Sequence, residues 1–370
     1  MIYLDYNATT PVLPEALEAL RQAAVEDFGN PGSGHSAGRR AREILEEART
    51  RVATLLEATP EEILFVSGGT EANNLALLGA ALSRGRGHLL VSRIEHPSVL
   101  EPALRLLELG FEVDFLPVDG GGYVDPEEVR RRLRPETFLV SVMLANNETG
   151  ALQPVKEIVS ICREAGVLFH TDAAQAVGKI PVSVREIGCD LLSIAGHKMY
   201  APKGIGALYV RRGVRLSRIL YGAGQERGLR PGTEPVPLAA ALGAAAEFAL
   251  HDLSAEAERQ RALREYLWEG LRELEPRVVR HGDPERTLPN TLSVSFPGRV
   301  ASEILSRAEG LCASTGAACH DRQEVLSHVL SAMGVPPEVA RGTIRFSLGR
   351  WTTQEDLDGA LKILEEALHP

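Results

Sequence analysis

Short apolar runs and longer amphipathic segments alternate along most of this chain. Runs such as EILFVS (62–67) and VLFHTD (167–172) have the length and composition of buried strands. Between such runs lie segments such as PSVLEPALRLLELG (97–110), in which leucine and alanine recur with helical spacing. Apolar strands separated by amphipathic helices indicate βαβ units. The pattern therefore predicts an α/β fold whose mainly parallel sheet is covered by helices on both faces.

The pattern changes in the last third of the chain. A helix of small residues (237–250) precedes a long charged helix (254–274), and the strands TLSVSFP and GTIRFSLG then alternate with short helices. The 370 residues exceed the roughly 250–300 residues at which single cores tend to split. We predict a large domain of residues 13–250, and a smaller α+β domain formed by residues 1–12 and 251–370.

Composition narrows the class of protein. A net charge of −10 argues against a general nucleic-acid binder, which would show a basic face. The N-terminus, MIYLDYNATT, lacks the basic and apolar regions of a signal peptide, and no unbroken apolar run has the length of a membrane span. Four cysteines in a chain of this length do not make a disulfide framework. A cytoplasmic protein without membrane attachment is predicted.

Polar or ionisable residues follow the predicted ends of five different strands. They are Thr70, His96, Asn147, Asp172 and Lys198. Ligands of open α/β sheets bind at this carboxyl edge. The turn Gly68-Gly69-Thr70 also joins a strand to a helix, an arrangement that holds phosphates through free N–H groups and the helix dipole. The sequence predicts a ligand site at this edge of the sheet.

Lys198 stands out because the chain has only five lysines. It follows the apolar run LLSIA in a Gly-His-Lys turn. A lysine that forms a Schiff base must be fixed and partly desolvated, with other ionisable groups nearby, so that its pKa falls. The alternative interpretation, a surface lysine in a turn, stays open on these local features alone.

Taken together, the motifs of this chain resemble those of the fold-type I enzymes that use pyridoxal phosphate. More narrowly, the chain resembles the cysteine desulfurase and selenocysteine lyase branch of the class V aminotransferase-like group. The resemblance extends over nearly the whole chain. It rests on YLDYNATTP, GNPGSGH, SGGTEANN, EHPSV, NNETG, HTDAAQ, GHKMYAPKGIGALYV, ERGLRPGTE, STGAAC and RFSLGR.

The resemblance implies roles for individual residues. Lys198 would bind the cofactor covalently and move the substrate's proton, Asp172 would pair with the pyridine nitrogen, and His96 would stack on the ring as an acid/base. Asn147 and Arg350 would bind the substrate carboxylate. The remaining expected cofactor contacts are Gly69, Thr70, Asn147, Gln175, His197 and, from a neighbouring subunit, Thr233. The last contact implies a homodimer with shared active sites.

Cys319, in the segment GAACH, indicates the reaction. In the family that it resembles, this cysteine attacks the sulfur of the substrate and carries it as a persulfide, and the neighbouring His320 would favour the thiolate. Cys162 and Cys189 lie in apolar surroundings that fit buried thiols. Cys312 stays open between a buried residue, a resolving thiol and a metal ligand, and no metal site is predicted.

The resemblance therefore implies a cysteine desulfurase that converts L-cysteine to L-alanine. Its persulfide would pass to a sulfur-acceptor or scaffold protein for iron–sulfur cluster or thio-cofactor assembly. Selenocysteine lyase is an alternative, because GAACH, QER and RPGTE look as close to that subgroup, although the length of HDRQEVL is typical of desulfurases. A class V aminotransferase and a non-enzymatic scaffold are further alternatives. Ala195 departs from the Ser or Thr common in the family, so one phosphate contact is expected to be missing.

Overall fold

The computed structural model describes residues 1–315 and 326–369, and between them the backbone of two short strands. The strands are Ile2–Tyr3 (β1), Ile63–Val66 (β2), His88–Ser92 (β3), Glu112–Leu116 (β4), Thr137–Ser141 (β5), Leu168–Asp172 (β6), Leu191–Ala195 (β7), Gly206–Val210 (β8), Val279–Arg280 (β9), Thr291–Ser295 (β10), Leu311–Cys312 (β11), Ser314–Thr315 (β12), Cys319–His320 (β13), Gln323–Glu324 (β14) and Thr343–Ser347 (β15).

Helices connect most of these strands. The α-helices are Pro14–Val25 (α1), Ser36–Leu55 (α2), Gly69–Arg84 (α3), Pro97–Glu108 (α4), Pro126–Arg132 (α5), Val155–Glu164 (α6), Val184–Ile187 (α7), Val236–Leu274 (α8), Ala301–Arg307 (α9), His328–Ala332 (α10), Pro337–Ala340 (α11) and Gln354–Leu368 (α12). Four 3₁₀ turns occur in the described residues, at Pro60–Glu62, Gly196–Lys198, Glu226–Gly228 and Pro284–Arg286.

A seven-stranded sheet forms the centre of the larger part of the molecule. Its strand order is β2-β8-β7-β6-β5-β3-β4. Only β8 runs against its neighbours, pairing antiparallel with β2 and β7, while the remaining neighbours pair in parallel. Most of its strands are fully buried, as expected where helices cover both faces of a parallel sheet. The predicted α/β fold with a mainly parallel sheet is confirmed.

A second, four-stranded sheet belongs to the C-terminal part of the chain. Its order is β12-β15-β10-β9, and its pairs are antiparallel. The N-terminal strand β1 pairs in parallel with β11, and Asp5 forms a bridge with Ser347 beside β15. The first residues of the chain therefore lie against residues more than 300 positions later.

The helix α8 links the two parts. The predicted pair of helices, 237–250 and 254–274, corresponds to the two arms of α8, an element of 39 residues with a kink at Asp252, where φ is −142°. Its length and apolar composition would also suffice for a membrane crossing, yet 56% of the apolar window is buried within the protein. That burial is the behaviour of a core helix of a soluble protein, so the window is weak evidence for a membrane span.

Buried apolar side chains form separate clusters in the two parts. Two large clusters cover the faces of the seven-stranded sheet. A third combines Leu4 with side chains of β10, β15, α12 and the second half of α8. The predicted domain limits, 13–250 for the large domain and 1–12 with 251–370 for the small one, stay a prediction.

Candidate active site

The carboxyl ends of five strands meet at one cavity of about 320 Å³. We call it the Lys198 cavity. Strands β2, β3, β5, β6 and β7 end beside it, because all five point in the same direction within the sheet. The predicted site residues that line it are Gly69, Thr70, His96, Asn147, Asp172, Gln175, His197 and Lys198. Residues spread over about 130 positions of sequence are thus brought into one space.

The N-terminus of α3 opens onto this cavity. The helix begins at Gly69, and its N-cap residue, Gly68, supplies no side-chain hydrogen bond to the first amides. Gly69 also lies close to Ala195 across the cavity wall, since a Cβ at Gly69 would stand 3.4 Å from the Ala195 Cβ. Free N–H groups at the positive end of a 16-residue helix suit a phosphate.

Lys198 occupies a 3₁₀ turn that follows β7 directly. Its Nζ donates hydrogen bonds to the backbone oxygens of Asn7, at 2.5 Å, and Ala8, at 2.8 Å. Burial and, after it, the positive charge of Arg345 lower the pKa of Lys198 to about 8, against the opposing effects of Asp5 and Asp172. A lysine in this state carries a substantial fraction of neutral amine near neutral pH, as carbonyl chemistry requires.

Asp172, at the end of β6, is buried and held on both carboxylate oxygens. Its Oδ1 accepts from the backbone N–H of Ala174 at 2.9 Å, and its Oδ2 accepts from Nδ2 of Asn73 at 2.7 Å. These contacts leave the carboxylate fixed at the floor of the cavity. A fixed carboxylate of this kind can pair with a protonated ring nitrogen.

His96 caps the N-terminus of α4 and faces the cavity. Its Nδ1 accepts a hydrogen bond from the backbone N–H of Ser98 at 3.1 Å. Burial lowers the pKa of His96, Asp172 opposes that effect, and the charges of Lys198 and His328 reinforce it. His197 also has its pKa lowered, to about 4, by burial and by nearby lysines. Both imidazoles are therefore neutral at physiological pH.

The N-terminal segment supplies residues that the sequence did not assign. Asn7 and Ala8 line the cavity, and the backbone oxygen of Asn7 accepts from Nε2 of Gln175 at 3.0 Å as well as from Lys198. The buried Lys179 donates to Oδ1 of Asn7 at 2.8 Å and to Oε1 of Gln175 at 2.7 Å. These contacts fix the Gln175 amide. The motif YNATT was the available signal for Asn7.

The arginine that lines the cavity is Arg345, on β15. Its guanidinium donates to the backbone oxygen of Asn147 at 2.8 Å and to Oδ1 of Asp5 at 2.8 Å. Its Nε is buried and has no hydrogen-bond partner among the described residues. A guanidinium that lines the cavity brings a positive charge suited to a ligand anion. Sequence reasoning missed Arg345, although the motif RFSLGR contains it.

Arg350, predicted to bind the substrate carboxylate, does not line the Lys198 cavity. It lies at a second, closed cavity of about 20 Å³, which we call the Arg350 cavity and which Tyr6, Lys179 and Gln260 also line. Its guanidinium pairs with Asp252 at 3.3 Å and covers the ring of Phe248, 4.4 Å from its centroid. The position argues against the predicted substrate contact, because Arg350 lines a cavity other than the one that Lys198 lines.

Two further predicted residues are not seen at the cavity. Thr233 is exposed in the loop before α8 and does not line the Lys198 cavity of its own chain. The side chain of Cys319 lies outside the described residues. Cys312 is a partly buried free thiol on β11, whereas Cys162 and Cys189 are buried. No group of three potential metal-binding side chains occurs within the part of the chain that the structure describes.

The residues of the Lys198 cavity fit pyridoxal phosphate. Free helix amides suit its phosphate, the Asp172 carboxylate suits a pyridinium nitrogen, and the Lys198 amine suits a carbonyl carbon. The positive charge of Arg345 at the cavity wall suits an anion beyond the cofactor. Each part of the ligand thus finds a group of matching chemistry on a different structural element.

Comparisons with known proteins agree with this arrangement. The family model for aminotransferase class-V matches residues 2–359. The cysteine desulfurase IscS of Dictyoglomus turgidum is 46% identical to this chain, and the match covers 99% of this chain and 94% of that protein. The solved structure of a NifS-like protein has 39% identity and a TM-score of 0.94, with 99% of each chain covered. The structure described as SspA in complex with cysteine has 36% identity and a TM-score of 0.86, covering 95% of this chain and 100% of that one.

Proposed function

This chain belongs to the aminotransferase class-V family and is a pyridoxal phosphate-dependent cysteine desulfurase, and from that premise we propose that Lys198, Asp172 and His96 are its cofactor-side catalytic residues. The observation that carries the proposal is their convergence. Residues from three different strand ends meet in one cavity, and the lysine among them has its pKa lowered to about 8. Perturbed ionisable groups in a cleft are typical of active sites.

The cofactor would be held by residues with matching chemistry. The Gly69 amide, Thr70 and His197 would contact the phosphate, Asp172 the ring nitrogen, and Gln175 the phenolic oxygen, while His96 would cover the ring. When bound, pyridoxal phosphate supplies an electron sink for the carbon atoms of the substrate. The fixed orientation of Gln175, imposed by Lys179 at 2.7 Å, would keep its amide nitrogen towards the cavity.

Lys198 would also move the substrate proton. Its Nζ contacts the backbone oxygens of Asn7 and Ala8. These oxygens can accept hydrogen bonds only from the N–H groups of the lysine. The lone pair of the nitrogen therefore stays free when the amine is neutral. A neutral amine close to the substrate Cα can take a proton there and return one elsewhere. The lowered pKa of Lys198 supports this role because it makes that neutral form accessible near neutral pH.

Arg345, with Asn147, would bind the carboxylate of L-cysteine. Arg345 replaces Arg350 in this role because only Arg345 lines the cavity. The contact of 2.8 Å between the Arg345 guanidinium and the Asn147 backbone oxygen supports this pairing. Guanidinium groups recognise carboxylates through paired, charge-assisted hydrogen bonds.

Cys319 would receive the sulfur. The Cβ–S bond of L-cysteine breaks, a new S–S bond joins that sulfur to Cys319 as a persulfide, and the remaining carbon skeleton leaves as L-alanine. The reaction needs no external oxidant or reductant, because the thiol hydrogen atoms are redistributed between persulfide and alanine. The persulfide would then pass to a sulfur-acceptor protein for iron–sulfur cluster assembly.

The active enzyme would be a cytoplasmic homodimer. Thr233 supports the shared site, since it is exposed and away from the cavity of its own chain, so that Thr233 of the partner subunit can reach the phosphate. The buried character of α8 supports a soluble protein.

Replacing Cys319 by Ala tests the assignment of sulfur transfer. The variant should keep the cofactor absorbance and an attachment to Lys198 that borohydride reduces to a permanent link, but lose alanine formation from L-cysteine by more than about 100-fold. Cys312→Ala is the matched control, because it removes a thiol that lies in β11 and should keep both properties. Full turnover by Cys319→Ala would refute the role of Cys319 without affecting that of Lys198.

A further inference from the structure

We propose that Ser98 and Asn73 are positioning residues for His96: the Ser98 hydroxyl is the reversible hydrogen-bond partner of His96 Nδ1, and Asn73 ties that hydroxyl to the Asp172 carboxylate. The inference deepens the proposed function, on which the role of His96 rests. Ser98 and Asn73 lie beneath the residues that face the ligand, and the sequence analysis assigned neither of them.

A continuous chain of hydrogen bonds joins Asp172 to His96. Nδ2 of Asn73 donates to Asp172 Oδ2 at 2.7 Å and to Ser98 Oγ at 2.8 Å. Ser98 Oγ in turn lies 2.8 Å from Nδ1 of His96. Asn73 is fully buried and Ser98 nearly so. The carboxylate and the imidazole at two sides of the cavity are therefore linked through two buried side chains.

The Asp172 carboxylate determines which group donates and which accepts in this series of hydrogen bonds. An ionised carboxylate can only accept, so the amide nitrogen of Asn73 must face it, and both of its N–H groups are used. In this orientation the oxygen of the amide, Oδ1 of Asn73, is buried without a hydrogen-bond partner among the described residues. An unsatisfied buried oxygen of this kind calls for an explanation. The double donation to Asp172 and Ser98 provides one.

Of the two contacts of His96 Nδ1, only the one with the Ser98 hydroxyl can change its direction, because a hydroxyl can either donate or accept a hydrogen bond. The other contact, from the Ser98 backbone N–H at 3.1 Å, can only donate. With Asn73 donating to its oxygen, the hydroxyl directs its own hydrogen to Nδ1, which favours the neutral ring with its proton on Nε2. When Nδ1 takes up a proton, the hydroxyl is the group on that side that can turn and accept.

The charged surroundings of His96 come from several elements. Asp172 on β6 favours the protonated ring, whereas Lys198 after β7 and His328 on α10 disfavour it. His328 is held by a contact of 2.9 Å between its Nε2 and the backbone oxygen of Glu95. Burial raises the pKa of the Glu95 carboxyl to about 8, so this immediate neighbour of His96 is largely neutral. The Ser98 contact therefore acts within a nearly balanced set of charges.

Two substitutions should move the titration of His96 in opposite directions. Ser98→Ala removes both the donor to the neutral Nδ1 and the acceptor from the protonated one. Because the second bond is charge-assisted and therefore the stronger, its loss should lower the pKa of His96. Asn73→Ala frees the Ser98 hydroxyl to accept from Nδ1 and should raise that pKa. The measurement is a pH titration by NMR of the full chain labelled at histidine Cε1, with and without pyridoxal phosphate. His96→Gln identifies the signal among the ten histidines.

Kinetics provide the second readout. The acid limb of the kcat profile should follow the shift of the His96 signal in each variant, and kcat of Ser98→Ala should fall by about tenfold. Ser98→Thr should restore both properties through its hydroxyl. Ser98→Cys, close in size but a poor acceptor, gives a second test if the Ala variant does not fold, and should shift the titration in the same direction.

Thr137→Ala is the matched control. Thr137 Oγ1 lies 2.8 Å from Nδ1 of His88, the same distance as in the Ser98–His96 pair. Both residues begin their strands, β5 and β3, at the edge of the sheet away from the Lys198 cavity. Loss of the Thr137 hydroxyl should therefore leave the His96 signal unchanged. Shifts of the same sign in Ser98→Ala and Asn73→Ala, or no shift in either, would overturn the inference. The titration needs no turnover, so this outcome is distinguishable from a failure of the proposed function.

Discussion

The Lys198 cavity and the Arg350 cavity lie close together, and the buried Lys179 links them. Both are bordered by a lysine and an arginine, yet one has a volume of about 320 Å³ and the other of about 20 Å³. The smaller volume holds roughly one water molecule. Lys179 lines the small cavity while its Nζ contacts Asn7 and Gln175 of the large one. Charge alone therefore does not make a site here, because open volume and unsatisfied donors distinguish the two.

The two arginines show the same difference. Arg350 already has the Asp252 carboxylate and the ring of Phe248 as partners. Arg345 has Asp5 as a partner but keeps a buried Nε without one in the described structure, and its side chain lines a space that can hold a ligand. The comparison teaches that a substrate-binding arginine is recognised by what its local partners leave unsatisfied.

The largest effect that tests this comparison is expected for Arg345→Gln. Loss of the guanidinium should reduce kcat/KM for L-cysteine by about 100- to 1,000-fold, mainly through KM, because a charge-assisted contact to the substrate disappears. Alanine formation measures it, and cofactor absorbance should persist. Arg345→Lys should recover only part of the loss, since lysine lacks the fork. An unchanged KM in Arg345→Gln would place substrate binding elsewhere.

An intermediate effect is expected from pH. Since the pKa of Lys198 is lowered to about 8, the neutral amine predominates above that pH and becomes about tenfold scarcer for each pH unit below it. The rate at which the cofactor-free protein takes up pyridoxal phosphate should rise with pH and level off above about 8.

The same absorbance measurement on Arg345→Gln sharpens the assignment. Removal of that positive charge should raise the pKa of Lys198 and move the plateau to higher pH. A rate that keeps rising with the same slope up to the pKa of an ordinary lysine would contradict the desolvated state of Lys198 seen in the structure.

The smallest effect is expected for Arg350→Gln. Steady-state constants for L-cysteine should stay within about twofold of the parent, because the side chain lies outside the Lys198 cavity. The free energy of unfolding should fall by about 1 kcal/mol through loss of the contacts with Phe248 and Asp252. Denaturant unfolding measures that change. A large rise in KM with unchanged stability would restore Arg350 as the substrate-binding residue.

Sequence reasoning reached the sheet and its functional edge because both follow from local patterns. The apolar runs ending at Asp172 and before Lys198 indicate strands by length and composition, and parallel strands present their ends at one edge. It could not reach Asn7 or Arg345. Those two residues reach the cavity through pairings between segments far apart in the sequence. The local periodicity of apolar residues carries no information about such contacts.

The choice between Arg345 and Arg350 shows the limit most clearly. Both belong to one motif, but Arg345 lies within β15 and Arg350 lies three residues beyond its last residue, and only the folded chain shows which arginine lines the Lys198 cavity. The kink of α8 at Asp252, by contrast, lies between the two helices that the change from small to charged residues predicts. The roles of individual residues came from the resemblance to a known family. Neither the composition of the chain nor the periodicity of its apolar residues indicates them.

The pairing of β1 with β11 has a consequence for the order in which a ribosome produces this protein. Synthesis proceeds at roughly 5–20 residues per second, so Ile2 emerges roughly 15–60 s before its partner Leu311. The parallel strands of the central sheet can form during that interval, but the cavity wall that Asn7 and Arg345 build together cannot. The nascent chain therefore stays without a complete active site until translation is almost finished.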